Sequence, residues 1–165
     1  MRILGIDPGS LTTGFGIIDT DGSNHLFVTK GIVSTRGEGS FPAKLRLIYR
    51  GILKVIDEYQ PEQVVVESLF FAINAKSALK LAHVRGVVLL AGVERQLKVF
   101  EYSPLEVKQA VVGYGRANKM QVQKMVTTLL RLETEPEPHD VADALAIAIC
   151  HAHRLRFSEK VEASR

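Results

Sequence analysis

The sequence predicts an α/β domain in which a five-stranded mixed sheet is flanked by helices. Apolar segments of strand length alternate with longer segments whose apolar residues recur at helical spacing. The first three strands follow one another through short turns, which favours antiparallel pairing. The fourth and fifth strands each follow a predicted helix, which is typical of an α/β domain.

The first strand is an apolar run over residues 3–9 that reaches an acid, Asp7, just before a Pro-Gly pair. Such a run is typical of a strand buried on both faces and ended by turn residues. Residues 12–20 alternate and end at an Asp-Gly pair, which is typical of a hairpin. A third strand is expected over residues 24–34, so the chain begins with three antiparallel strands.

The middle of the chain predicts a helix over about residues 42–59, a strand over residues 63–67 and a second helix over residues 75–96. The second helix is apolar nearly all round, and a domain of 165 residues has little core in which to bury both faces. We therefore expect residues 75–96 to form a homodimer contact. His83 within it is expected to be an interface or core residue and not a ligand.

The C-terminal part predicts a fifth strand and three helices. Their expected ranges are 98–102 for the strand, and 104–112, 118–132 and 139–155 for the helices. Ser103 with Glu106 and Asn118 with Gln121 have the spacing of capping boxes, which marks two of the helix starts. We assign residues 1–157 to one domain and expect the polar residues 158–165 to be disordered.

Composition limits the classes of partner and compartment. The net charge of +3 permits a polyanionic partner, and several basic residues lie between Lys108 and Arg131, where a solvated helix face is the alternative. The single cysteine, Cys150, excludes an intrachain disulfide and a cysteine zinc site, and its apolar surroundings predict a core thiol. The chain has no run that could cross a bilayer and no signal-like start, so we expect a cytoplasmic protein.

Four acids occupy special positions. Asp7 and Glu67 end predicted strands, while Asp140 and Asp143 lie in the first turn of the last helix and share one helix face. Simpler explanations exist: Asp7 is also suited to a turn, and acids at a helix start gain about 0.3–1 kcal/mol from the macrodipole. If the first and fourth strands are neighbours, however, their acids converge at one end of the sheet.

Converging carboxylates repel one another, so their burial must be offset by cations. An all-oxygen ligand set favours Mg²⁺ or Mn²⁺ over Zn²⁺. Two such ions about 3.5–4 Å apart would clamp a phosphodiester between an attacking water and a leaving oxygen. His139 adjoins the acids and is either an assisting group or a plain helix-start residue.

The arrangement of these motifs resembles the RuvC family of bacterial Holliday junction resolvases. The resemblance covers residues 1 to about 155 and rests on motifs in residues 3–9, 13–16, 66–71, 107–110 and 140–148. It implies a ribonuclease H-like fold and a homodimer that symmetrically nicks two strands of like polarity in a four-way DNA junction, leaving 5′-phosphates. It also implies a role in recombination and repair beside the RuvA and RuvB branch-migration proteins.

The resemblance further implies roles for individual residues. The four acids would be catalytic and would bind Mg²⁺, with Mn²⁺ as a substitute and two ions per site. The implied DNA contacts are Phe70, which would stack on a base near the crossover, and the basic residues Lys108, Lys119 and Arg116.

Other functions remain open at this point. A ribonuclease H acting on RNA–DNA hybrids would use the same fold without needing a dimer helix. A junction-binding protein without catalysis would have no use for four acids beside a basic surface. A sugar-kinase or actin-like ATPase would share the Gly-Ile-Asp-Pro-Gly start over residues 5–9, but those folds need two such domains.

Overall fold

The computed structural model describes residues 1–68 and 75–163, with side chains described through residue 156. The five strands are β1 (Arg2–Asp7), β2 (Thr12–Thr20), β3 (His25–Ser34), β4 (Gln63–Glu67) and β5 (Lys98–Tyr102). The five helices are α1 (Phe41–Tyr59), α2 (Ala75–Glu94), α3 (Pro104–Val112), α4 (Lys119–Leu129) and α5 (His139–Ala163). The predicted five-stranded sheet with flanking helices is confirmed.

The strand order in the sheet is β3-β2-β1-β4-β5. β1 pairs antiparallel with β2 and parallel with β4, while β5 is parallel to β4 and β3 is antiparallel to β2. The expected antiparallel start of the chain is confirmed, and the first and fourth strands are neighbours, which is the condition for their acids to converge. β1, β4 and β5 therefore end at the same edge of the sheet, which we call the carboxyl edge.

The sheet separates two apolar layers. On one face, α3, α4 and α5 pack against a cluster that includes Ile3, Ile18 and Val65. On the other face, α1 and α2 pack against a cluster that includes Leu4 and Ile6. Because successive residues of β1 point into opposite layers and are fully buried, β1 has the two buried faces that its apolar run predicts.

Helix α5 lies in backbone contact with β1 and β2. A Cβ atom on Gly5 would overlap the carbonyl oxygen of Ala144, and one on Gly14 would overlap the carbonyl oxygen of Asp140. Gly5 and Gly14 are paired across the β1–β2 ladder with Gly16 and Asp7, respectively. The absence of side chains at these glycines lets the start of α5 approach the carboxyl edge beside Asp7.

Two helix ends differ from the expected positions. α4 ends at Leu129 instead of about 132, because Arg131 adopts a left-handed φ of 52° and the Leu132 N–H bonds to the Thr127 carbonyl. α5 continues to Ala163 instead of ending near 155. No Gly or Pro lies between 155 and 163 to stop it, and its charged residues there are good helix formers. The disorder of residues 158–165 in solution stays a prediction.

Several smaller predictions concern single residues and caps. Both capping boxes are present, with Ser103 and Asn118 as the N-caps. Cys150 is a buried free thiol, as its apolar surroundings predict, and burial raises its pKa to about 12. His83 is exposed on α2, which excludes the core position of the two that were expected and leaves the interface position a prediction. None of the helices in the described ranges combines the length and hydropathy needed to cross a bilayer.

Two hydrogen bonds connect the buried His151 of α5 with side chains of β4 and β5. The Tyr102 hydroxyl lies 2.8 Å from Nδ1 of His151, and Nε2 of His151 lies 2.5 Å from Oε1 of Gln63. The neutral imidazole with its proton on Nε2 satisfies both contacts, because it accepts from Tyr102 and donates to Gln63. His151 is only 1% exposed, and burial lowers its pKa to about 4.

The lowered pKa of His151 predicts that this residue destabilises the folded chain in mild acid. The unfolded chain protonates His151 near its ordinary pKa of 6.5, whereas the folded chain does so only near 4. The contribution of His151 to the free energy of unfolding should therefore fall as the pH decreases from 6.5 towards 4. Urea unfolding across this range checks it, because wild type should lose stability relative to His151→Gln as the pH falls. His83→Gln, at an exposed position, is the control. Equal pH dependence in wild type and His151→Gln would contradict the prediction.

Candidate active site

Asp7 and Glu67 occupy equivalent positions on neighbouring strands. The parallel ladder pairs Ile6 of β1 with Val66 of β4, and each acid is the next and last residue of its strand. Neighbouring strands lie about 4.8 Å apart, so the two carboxylates emerge side by side at the carboxyl edge. Both residues are half-buried.

Asp140 and Asp143 reach the same place from the first turns of α5. The backbone of Asp140 lies directly over Gly14, and Gly14 is the cross-strand partner of Asp7. Asp143 is one turn further along and shares the helix face of Asp140. The side chain of Asp143 is 27% exposed. The structure thus brings all four predicted acids to one edge of the sheet.

The acids are in electrostatic contact with one another. Burial, followed by repulsion from Glu67, Asp143 and Asp140, raises the pKa of Asp7 to about 8. Burial and the charge of Asp143 raise the pKa of Glu67 to about 7. The pKa of Asp143 is also raised by burial, although Lys119 opposes this. Without added positive charge, this group of acids favours protonation over full ionisation.

The donor set fits a hard divalent cation in its chemistry. All four groups are carboxylates, and oxygen ligands of this kind are those that Mg²⁺ and Mn²⁺ take. Within residues 1–68 and 75–163, however, no three Asp, Glu, His or Cys side chains are close enough together to form a ready-made coordination shell. The four acids repel one another at this edge, so a bound cation would lower the electrostatic cost of placing them together.

Two predicted lysines lie beside the acids. Nζ of Lys119, at the start of α4, is 3.5 Å from Oδ2 of Asp143. Lys119 and Lys108 line a cleft of about 210 Å³ together with Glu67 and Asp143. The cleft therefore offers positive charge next to the carboxylates and has room for a phosphate group.

The other predicted site residues do not line this cleft in the part of the chain that the structure describes. Arg116 is exposed on the loop before α4 and does not line this cleft. His139 is the exposed first residue of α5, adjacent to Asp140. Phe70 lies outside the described residues.

All five helices of the described chain begin at or near the carboxyl edge. α1, α2 and α3 follow strands that end there, α5 begins over Gly14, and the first residue of α4 contacts Asp143. The positive ends of the helix dipoles therefore face the same side of the molecule as the acids. This arrangement favours a polyanion at the carboxyl edge in spite of the four carboxylates.

Two buried threonines that the sequence interpretation missed hold the loop after Asp7. The Thr13 hydroxyl donates to the Gly9 carbonyl at 2.9 Å, and the Thr35 hydroxyl donates to the Ser10 carbonyl at 2.7 Å. Both threonines are 0% exposed. Their role depends on the packing of β2 and β3 against residues 8–11, and no local sequence pattern indicates it.

Curated relatives match this chain over nearly its full length. The protein named crossover junction endodeoxyribonuclease RuvC from Syntrophotalea carbinolica is 55% identical over 159 residues, covering 96% of this chain and 98% of the relative. The protein of the same name from Alkaliphilus oremlandii is 50% identical over 159 residues, covering 96% of this chain and 97% of the relative.

Solved structures show the same similarity. The structure of T. thermophilus RuvC in complex with Holliday junction substrate superposes with a TM-score of 0.91 at 35% identity and covers 96% of each chain. The yeast mitochondrial Holliday junction resolvase Ydc2 shares the fold, with a TM-score of 0.70 at 12% identity and coverage of 95% of this chain and 80% of that chain. The family model for crossover junction endodeoxyribonuclease RuvC matches residues 3–151. The chain therefore belongs to the RuvC family, which has the ribonuclease H-like fold that its motifs predict.

Proposed function

We propose that this protein is a Holliday junction resolvase acting in homologous recombination and DNA repair. It would nick two DNA strands of like polarity symmetrically across a four-way junction. The observation that carries the proposal is the group of four half-buried carboxylates at the carboxyl edge, flanked by Lys108 and Lys119, in a chain of the RuvC family. The solved T. thermophilus relative, described as a complex with Holliday junction substrate, supports the same substrate.

In this proposal, Asp7, Glu67, Asp140 and Asp143 hold Mg²⁺, with Mn²⁺ as a substitute and two ions per site. When bound, these ions supply Lewis acidity and charge neutralisation for water activation and for the leaving 3′ oxygen. All four carboxylates are ionised together only when their charge is compensated, since the pKa of Asp7 is otherwise raised to about 8. Folding therefore prepares a site that is short of positive charge.

The lysines hold the DNA backbone in place. Lys119 and Lys108 bind phosphate oxygens at or next to the scissile group, and Arg116 contacts the backbone further out. Phe70 stacks on a base near the crossover.

In the hydrolysis, the water oxygen joins the phosphorus as the bond from phosphorus to the 3′ oxygen breaks. The water proton passes to solvent, and the leaving oxygen takes up a proton, which gives a 5′-phosphate and a 3′-hydroxyl.

A homodimer would match the symmetry of the junction, because one twofold axis then relates two active sites and two target strands. Helix α2 buries Val84, Val88, Ala91 and Gly92 within the chain but exposes Leu79, Leu90 and Val93 on its other side. We propose that this second side meets a second copy.

Family membership also supports cooperation with RuvA and RuvB, and a chromosomal DNA substrate supports action in the cytoplasm.

The first prediction concerns substrate and metal. With Mg²⁺, the protein should make paired nicks in opposing strands of a synthetic four-way junction, and EDTA should abolish them, because the carboxylates need compensating charge. Gel analysis with each strand labelled in turn measures this, with a matched linear duplex as the control. Cutting of an RNA–DNA hybrid in place of the junction would instead identify a ribonuclease H.

A second prediction separates catalysis from binding. Asp7→Asn should reduce junction cleavage by more than about 100-fold, since a carboxylate ligand of the catalytic cations worth several kcal/mol is lost. Junction affinity in a gel-shift titration should be unchanged or higher, because one negative charge facing the DNA is removed. Glu58→Gln, at an exposed position near the far end of α1, is the matched control. Wild-type cleavage by Asp7→Asn would refute the proposed site.

The dimer is tested by a charge on α2. Leu90 is 55% exposed, and Leu90→Glu should convert a wild-type dimer to a monomer in analytical ultracentrifugation, because a carboxylate would be buried unpaired. Leu26→Glu, at a leucine on β3 that is 67% exposed, should leave the dimer intact. A wild-type monomer, or a dimer that survives Leu90→Glu, would exclude this interface.

A further inference from the structure

A second cleft opens at the carboxyl edge on the side of the active site away from α3 and α4. It has a volume of about 270 Å³ and is lined by Ser10, Leu11, Gly39, Phe41, Lys44 and Lys80. Ser10 and Leu11 belong to the loop that directly follows Asp7, so this cleft adjoins the candidate active site. None of the site residues assigned above lines it.

The lining of this cleft is basic. Lys44 comes from the first turn of α1 and Lys80 from α2, and neither forms an ion pair with any residue in the described ranges. The first turns of α1 and α2 contain no acidic residue, so the positive helix ends are not neutralised locally. The nearby Glu38 accepts a hydrogen bond from the Gly39 N–H at 3.0 Å and does not line the cleft.

Contacts between side chains stabilise one wall of the cleft, and hydrogen bonds stabilise the other. The ammonium of Lys80 lies 6.0 Å from the centroid of the Phe41 ring, and the imidazole of His83 packs edge-on against that ring at 5.9 Å. On the opposite wall, the buried Thr35 hydroxyl donates a hydrogen bond to the Ser10 carbonyl. The backbone N–H of Thr35 donates to the Leu11 carbonyl at 3.0 Å. The cleft is therefore a fixed feature of the fold that presents cations to solvent.

We propose that this cleft, the Lys44–Lys80 cleft, binds backbone phosphates of the DNA strand where it continues past the scissile group. A strand that crosses the active site must leave it on two sides, and Lys108 and Lys119 serve only the α3–α4 side. Each nucleotide adds one phosphate charge per about 3.4 Å of helix axis, so a basic cleft next to Asp7 meets further phosphates. The proposal rests on the proposed function, since it takes junction DNA as the ligand.

The test is a double variant, Lys44→Ala with Lys80→Ala, titrated with a four-way junction in EDTA so that binding is measured without cleavage. At about 50 mM salt the dissociation constant should rise roughly tenfold. Between about 50 and 200 mM salt, the slope of log K against log salt should become shallower by about 2–4, because each copy of the dimer loses up to two phosphate contacts.

Two further variants make the test specific. Lys54→Ala removes an exposed lysine about 15 Å further along α1 and should leave affinity and salt slope unchanged. Lys44→Arg with Lys80→Arg retains both charges and should restore most of the affinity, which a general loss of folding would not allow. Phosphate ethylation interference should show wild-type contacts on one side of the cleavage point that disappear in the double alanine variant.

Unchanged affinity, salt slope and interference pattern in the double alanine variant would overturn the proposal, and would leave the cleft to an acidic protein partner. The outcomes also separate the two proposals. Suppose that the wild-type protein cuts no junction, but that the double alanine variant binds junction DNA more weakly than wild type. The resolvase function is then refuted, and the phosphate-binding cleft is supported. If wild-type protein cuts junctions and the double variant binds them normally, only the cleft fails.

Discussion

The close contact between α5 and the glycines of β1 and β2 is the constraint on which the candidate active site depends. Gly14 leaves no room for a side chain beneath the Asp140 carbonyl, and Gly5 does the same beneath Ala144. This contact places the two acids of α5 over the strand end that carries Asp7. A single methyl group at Gly14 would displace the start of α5, and with it the acids, away from Asp7 and Glu67.

The fold concentrates opposing charges at one edge. Four carboxylates that are half-buried beside each other would destabilise the chain if all were ionised, and the raised pKa values of Asp7 and Glu67 reflect this cost. The helix starts and the lysines of two flanking clefts supply the opposite sign. The acids are therefore suited to gather cations, while the lysines on both sides are suited to the backbone of a polyanion.

The same geometry relates the surface features to a symmetric substrate. The carboxyl edge carries the acids and both basic clefts, whereas the exposed apolar side of α2 offers a contact for a second copy. α2 begins near that edge, after β4, so a contact through α2 would bring two carboxyl edges into one assembly. Strand cleavage at two related positions then follows from one interface and one repeated site.

The sequence alone determined the type and order of the strands and helices and the fold family, and it singled out the four acids as candidates, because these depend on apolar periodicity, turn residues, caps and motif order. β1 ends on an acid before Pro-Gly, and capping boxes start α3 and α4. Only the tertiary structure decided which side of α2 is buried, that Thr13 and Thr35 hold the loop after Asp7, and that Lys44 and Lys80 meet beside it. These contacts join residues far apart in the chain, and their free energy comes from packing between layers, which a local pattern does not record.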